Sequence, residues 1–285
     1  MIENRMMENQ KRHSTLCPNC RRLISIDEPQ CPYCGLRNPG SRWKSALGTG
    51  SLLSADNVLR NIIYLNVAMY ILSIVISPSS TRFSMSPFGF LSPGNQSLLL
   101  LGETGTIPIN MYHRWWTVIS AVYLHGSLLH ILFNMAALWQ IGQLILQEYG
   151  AYRTFCIYTI GGIGGYIISY LAGVQFTIGA SGAVCGLIGA AIYYGKHRGG
   201  YFGQAIYRQV GGWAIAILAF GFFFPGIDNW AHGGGLVFGI LSGYLFGYHE
   251  RNPETYFHRM LAVVCVFATF GSLVWSVLGP FLLHT

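Results

Sequence analysis

From residue 58 onward the apolar residues do not alternate with polar ones. They come in runs, separated by short breaks rich in proline, glycine or charge. A helix needs roughly 20 apolar residues to cross the hydrocarbon core of a bilayer. On that measure the pattern predicts seven spans: 58–77, a second ending near Glu148, then 152–174, 181–194, 210–224, one beginning near Trp230, and 260–282. Pro78, Ser79 and Ser80 break the first, and Pro225-Gly226 end the fifth. Residues 78–114 read as a long loop holding Pro87, Pro93 and Pro108. Loops of that length are usually functional rather than idle. Arg114-Trp115-Trp116 at its end suit the membrane interface, where indole rings anchor.

Small residues add a second pattern. Gly182, Gly186 and Ala190 recur every four residues in the fourth span, and Gly235, Gly239, Gly243 and Gly247 do so in the sixth. Such ladders let two helix backbones approach closely.

Composition agrees with this picture. Of the 285 residues 52% are hydrophobic and 9% charged, against roughly 25% charged in a soluble domain. The net charge of +7 therefore reads as retention of cytoplasmic segments, not as a nucleic-acid surface. With the N-terminus inside and each span alternating, all of the 17 Lys and Arg except Arg82 and Arg114 fall on the inner side. The starts of the fourth and sixth spans then lie near the outer face. Residues 1–16 are mostly polar, which predicts no signal peptide, and Glu3 and Glu8 argue against a mitochondrial leader. The expected location is a bacterial cell membrane.

Before the first span, Cys17-Pro18-Asn19-Cys20 and Cys31-Pro32-Tyr33-Cys34 form two CxxC knuckles ten residues apart. Each such turn presents two thiolates, and four satisfy tetrahedral zinc. A domain this small needs the metal to fold. Residues 1–40 are thus expected to form a cytoplasmic, zinc-ribbon-like domain with structural zinc on Cys17, Cys20, Cys31 and Cys34. A linker, 41–56, follows. A cytoplasmic partner for the ribbon is not legible.

Candidate chemistry gathers at the outer ends of three spans. Ser181 opens the fourth within Gly179-Ala180-Ser181-Gly182, and His232 lies in the first turn of the sixth. A serine is a weak nucleophile until a base takes its proton. His130 and Asn134 are four residues apart, hence on one helix face. Polar side chains in a span are costly and turn toward a site or a partner. Ser181 would attack a peptide carbonyl with His232 as general base. The free N–H groups of the fourth helix, with His130 and Asn134, would hold the oxyanion. Asp228 is the only acid near His232 and falls in the preceding loop, so a dyad is expected rather than a triad.

These residues together resemble the rhomboid family of intramembrane serine proteases. The resemblance rests on Gly179-Ala180-Ser181-Gly182, Ala231-His232-Gly233-Gly234-Gly235, and His125 through His130 to Asn134, and covers about residues 55–250. It implies an all-α polytopic membrane protein. A six-helix rhomboid-like catalytic core would occupy 57–250, and an extra C-terminal seventh transmembrane helix 251–285. It also implies transmembrane protein substrates cut in or near their spans, with no catalytic cofactor. Two positions depart from the family pattern. Cys185 stands where an aromatic residue often stacks on the histidine, and the loop arginine, Arg114, precedes its tryptophans. Two other readings are a catalytically silent relative that binds transmembrane clients, and a transporter lined by the same polar groups.

Overall fold

The structure is a computed structural model that describes residues 14–17, 22–33, 35–36, 39, 53–55, 57–78, 81–83, 89–224 and 226–282. The chain divides into two units, Met1–Val58 and Leu59–Thr285.

In the first unit, β1 (Ser14–Leu16) pairs antiparallel with β2 (Leu23–Ser25), with Leu16 opposite Leu23. The Cys17 N–H closes the hairpin on the Arg22 carbonyl at 2.9 Å. Cys17 and Cys31 are buried with Ile24 in one small core, and Leu36 packs on it. The chain after Cys31 turns back at once: the Gly35 N–H donates to the Cys31 carbonyl at 2.9 Å, with Gly35 at a φ of +74° that glycine tolerates. Cys20 and Cys34 lie outside the described residues.

The second unit holds seven long helices among its described residues: α1 (Val58–Val75), α5 (Leu128–Tyr149), α6 (Ala151–Leu171), α7 (Ser181–Arg198), α8 (Gly200–Phe223), α9 (Asn229–Phe246) and α10 (Tyr256–Leu282). Between α1 and α5 come the short pair β3 (Arg82–Phe83) and β4 (Phe90–Ser92), then α2 (Asn95–Leu100), α3 (Thr106–Tyr112) and α4 (Thr117–Ser120). Five helices, α1, α5, α6, α8 and α10, are long and apolar enough to cross a membrane. The other two, α7 and α9, are diluted by glycine and by the polar residues of the site. The chain is accordingly a multi-pass integral membrane protein.

The centre is a seam of α6, α7 and α9. A Cβ placed on Gly239 would lie 1.9 Å from the Gly186 carbonyl oxygen, and one on Gly235 would lie 2.1 Å from that of Gly182. On its other side Gly186 meets Gly161 of α6, whose Cβ would sit 2.7 Å from the Gly186 Cα. No side chain fits at these points, so the backbones themselves are in contact. Gly247 does not extend the ladder. It ends α9 with a φ of +64°.

Two expectations need correction. The fifth span starts at Gly200, not at 210, and Lys196 to Arg208 do not form a loop. Gly199 and Gly200, at φ of +68° and +63°, join α7 directly to α8. Lys196, His197 and Arg198 then occupy the last turn of α7, where the helix dipole favours cations. Residues 78–114 are also not a plain loop. Their short helices satisfy backbone groups locally and are then pinned to the segment before α7. Thr104 and Thr177 pair through both N–H groups at 3.2 and 2.8 Å, and the Thr106 N–H donates to the Val174 carbonyl at 2.8 Å. Hydroxyls complete the attachment, Thr117 donating to Thr104 Oγ1 and Ser120 to the Gly102 carbonyl, each at 3.0 Å.

Candidate active site

The seam delivers two side chains to one end. Ser181 is the first residue of α7, and its neighbour Gly182 lies against Ala231, the residue before His232. Ser181 is partly exposed, whereas His232 is buried. The first helical bond of α7 is Val184 N–H to the Ala180 carbonyl, at 2.9 Å. The N–H groups of Ser181, Gly182 and Ala183 therefore precede the ladder and face outward with the positive end of the helix dipole.

The turn that presents Ser181 is held on both sides. The Gly179 N–H donates to the Ala121 carbonyl at 2.9 Å, and the Tyr166 hydroxyl donates to the Gly179 carbonyl at 2.7 Å. Gly179 itself has a φ of +125°. A Cβ there would lie 2.7 Å from His130 Nε2 and 3.8 Å from Ser181 Oγ. Glycine thus leaves the space in which His130 and Ser181 flank the same point.

His130 sits in the first turn of α5. Ser127 caps that helix, its Oγ accepting the His130 N–H at 3.2 Å. The ring's Nδ1 accepts from the Gly126 N–H at 3.3 Å. A neutral imidazole that accepts at Nδ1 carries its proton on Nε2. His130 therefore presents a donor toward Gly179 and Ser181. One turn on, Asn134 is buried and its amide donates to the His130 carbonyl at 2.9 Å, leaving a second N–H on the same nitrogen. His125, fully buried, packs edge-on against His130 with ring centroids 5.0 Å apart.

At the base, His232 Nδ1 is buried without a hydrogen-bond partner among the described residues. The Asp228 carboxylate does not reach it. One oxygen caps α9 by accepting the Ala231 N–H at 2.9 Å, and the other accepts the Ser169 hydroxyl. Cys185 is buried with its Cβ 3.1 Å from where a Cβ on Gly235 would sit, so a small residue suits the tight seam there. Tyr166, Ser169 and Gly126 were missed in the sequence. Nothing in an apolar run marks a tyrosine or serine as the partner of a distant loop.

Comparison with known proteins gives a family match. Residues 112–249 match the Rhomboid domain. That match covers a little under half of the chain. Ser181, His232, His130 and Asn134 all lie within it, while the cysteine knuckles, α1 and α10 lie outside. Over 219 residues the chain is 29% identical to Rhomboid protease GluP of Bacillus subtilis, covering 76% of this chain and 40% of the relative. It is 32% identical over 230 residues to RHOMBOID-like protein 1 of Arabidopsis thaliana, covering 68% of this chain and 56% of that protein. It is 29% identical over 167 residues to Rhomboid-like protease 5 of Toxoplasma gondii, covering 57% and 20%. The chain thus spans less than two thirds of each of these curated relatives. The matches support a rhomboid-family protein.

Proposed function

We propose that the chain is an intramembrane serine endopeptidase acting on transmembrane protein substrates through a Ser181/His232 dyad. The observation that carries this reading is the convergence of Ser181 Oγ and His130 Nε2 on the space above Gly179, beside the α7–α9 seam that bears His232. Ser181 Oγ attacks the scissile carbonyl while His232 takes its proton. The oxyanion forms against the open N–H groups of α7, the Nε2–H of His130 and the free amide N–H of Asn134. Collapse breaks the C–N bond, and His232 returns the proton to the leaving amine. A water molecule, deprotonated by His232, then releases the acyl group and restores Ser181. No metal is needed for these steps. Without a carboxylate on Nδ1, packing must orient the imidazole.

Two named rhomboid proteases among the relatives favour this reading over a silent client-binding protein or a transporter. The test is cleavage of a generic transmembrane substrate in liposomes, with fluorophosphonate labelling. Ser181→Ala and His232→Ala should each abolish cleavage without moving the thermal unfolding midpoint, and Ser181→Ala should abolish labelling. A wild type that neither cuts nor labels would favour the client-binding reading, and transport of solute without cleavage the transporter.

The same proposal places the N-terminus in the cytoplasm of a bacterial cell and the site toward the outer face. It assigns 1–40 to a cytoplasmic zinc ribbon. Cys17 and Cys31, buried in a shared core with a tight turn after Cys31, fit half of a Cys₄ site. Cys20 and Cys34 would complete it, and zinc would supply fold stability, not chemistry. Metal analysis of the purified chain should give one zinc, lost in Cys17→Ser. Absence of zinc from the wild type would rule the ribbon out.

A further inference from the structure

His232 has a placement problem. Its Nδ1 is buried and makes no hydrogen bond among the described residues. No aromatic ring there stacks on it either. The orientation of the imidazole is then inherited from the backbone that carries it, which is the first turn of α9. What fixes that turn is Asp228.

Asp228 is the N-cap of α9. Its Oδ1 accepts the Ala231 N–H at 2.9 Å, and its carbonyl accepts the N–H of His232 itself at 3.1 Å. An aspartate at this position suits both the open N–H groups and the positive end of the dipole. A cap alone would fix the turn relative to its own helix only. The second oxygen does more. Oδ2 accepts a short hydrogen bond from Ser169, a fully buried residue of α6. A carboxylate acceptor makes such a bond stronger than a neutral one.

The place of Ser169 on α6 gives the tie its meaning. Tyr166 lies three residues earlier, on the same face, and holds the Gly179 carbonyl two residues before Ser181. Just before Tyr166, Gly165 abuts the Ala231 carbonyl, 2.6 Å from where its Cβ would be. One turn of α6 therefore grips both segments of the site, the serine turn through Tyr166 and the histidine turn through Ser169 and Asp228.

We propose that Asp228, tied to Ser169, is the positioning residue for His232, setting the imidazole against Ser181 through the α9 cap. The proposal rests on the protease reading above. Its test measures kcat, KM and the thermal unfolding midpoint of the full chain in liposomes with a transmembrane substrate. The variants are Asp228→Ala, Asp228→Asn and Ser169→Ala. Small misplacements of a catalytic group cost up to about 100-fold. Asp228→Ala should lower kcat by about 10- to 100-fold with KM within about twofold. Asp228→Asn should recover to within about threefold of wild type, because an amide oxygen still caps Ala231 and its NH₂ can reach Ser169 Oγ. Ser169→Ala, which leaves the cap but cuts the tie, should fall between the two.

Wild-type kcat in Asp228→Ala would overturn the proposal. So would a loss in Asp228→Ala that follows the fraction unfolded and is not recovered by Asp228→Asn, since that is the behaviour of fold stability alone. If Asp228→Ala does not fold, full activity in Ser169→Ala would overturn it. A wild type that neither cleaves nor labels with a fluorophosphonate would sink the protease reading, and this proposal with it.

Discussion

Helices α9 and α10 follow one another in the chain and are both glycine-containing and apolar, yet they are built for opposite purposes. Helix α9 meets α7 backbone to backbone, and every glycine on that face has something within reach. Helix α10 meets its neighbours through side chains and turns large apolar groups outward, Val264, Phe267 and Val274 each more than half exposed. Two of its buried hydroxyls, Ser272 and Ser276, donate to carbonyls of their own helix. The first helix holds His232 in fixed relation to Ser181, and on the protease reading proposed above a shift of an ångström there is a change of chemistry. The second covers the bundle and faces lipid, where small shifts are absorbed.

Glycine substitutions break this comparison most directly. Gly239→Ala places a methyl 1.9 Å from the Gly186 oxygen, so α7 and α9 must separate. The expected cost is about 3 kcal/mol or more, at the top of the overpacking range, read from unfolding in detergent. Cleavage should fall further than stability alone predicts. Undiminished stability would mean that α7 and α9 are not in backbone contact at this point.

Next in size is the joint between the two helices. Arg153 is fully buried and donates to the carbonyls of Gly247, Asn252 and Pro253 at 3.1, 2.8 and 2.7 Å. Arg153→Met would leave those three carbonyls without their donors. About 1–3 kcal/mol per buried unsatisfied group bounds the effect, and about 3 kcal/mol in total is expected, since water can reach part of the turn. Limited proteolysis should then cut first between α9 and α10.

A smaller, pH-dependent effect comes from Glu254 in the same connection. Its carboxylate accepts the Arg153 N–H at 3.0 Å, and burial pushes its pKa up to about 7. A carboxyl group raised in the folded state binds protons more tightly there than when unfolded. Its contribution to stability is full below its ordinary range, near 4.3, and is lost as pH rises toward about 7. Glu254→Gln stays neutral and should flatten the unfolding midpoint between pH 4 and 8 (approximately) relative to wild type. An unchanged slope would assign the pH dependence to other groups.

The smallest effect sharpens the contrast. Gly271 on α10 has nothing within 4 Å of its would-be Cβ. Gly271→Ala should be neutral or stabilising by up to about 1 kcal/mol through helix propensity, with cleavage unchanged. The same substitution on adjacent helices would then carry opposite signs.

Much of the helical layout was legible because it depends on local pattern. Long apolar runs, a proline or glycine at their ends, and glycines every four residues all report on a single helix. Glycine also misled where its backbone freedom matters more than its size. The apolar pattern leaves Gly199-Gly200 outside any span, whereas they make a hairpin between two helices, so α8 begins ten residues earlier than the hydropathy suggests. The short helices of residues 95–120 were hidden because they satisfy one another and the segment before α7, not a periodic face.

What the sequence alone determined was the kind of molecule and the position of its candidate reactive groups. Membrane-length runs follow from composition, and a serine and a histidine at helix starts follow from position. The tertiary structure decided which groups converge. It placed His130 Nε2 beside Ser181, turned Asn134 toward its own helix, left His232 Nδ1 without a partner among the described residues, and joined Asp228 to a serine 59 residues away. The reason is physical: hydrophobicity and propensity act over a turn or two of chain. A hydrogen bond between distant residues exists only once close-packed helices have brought them within about 3 Å.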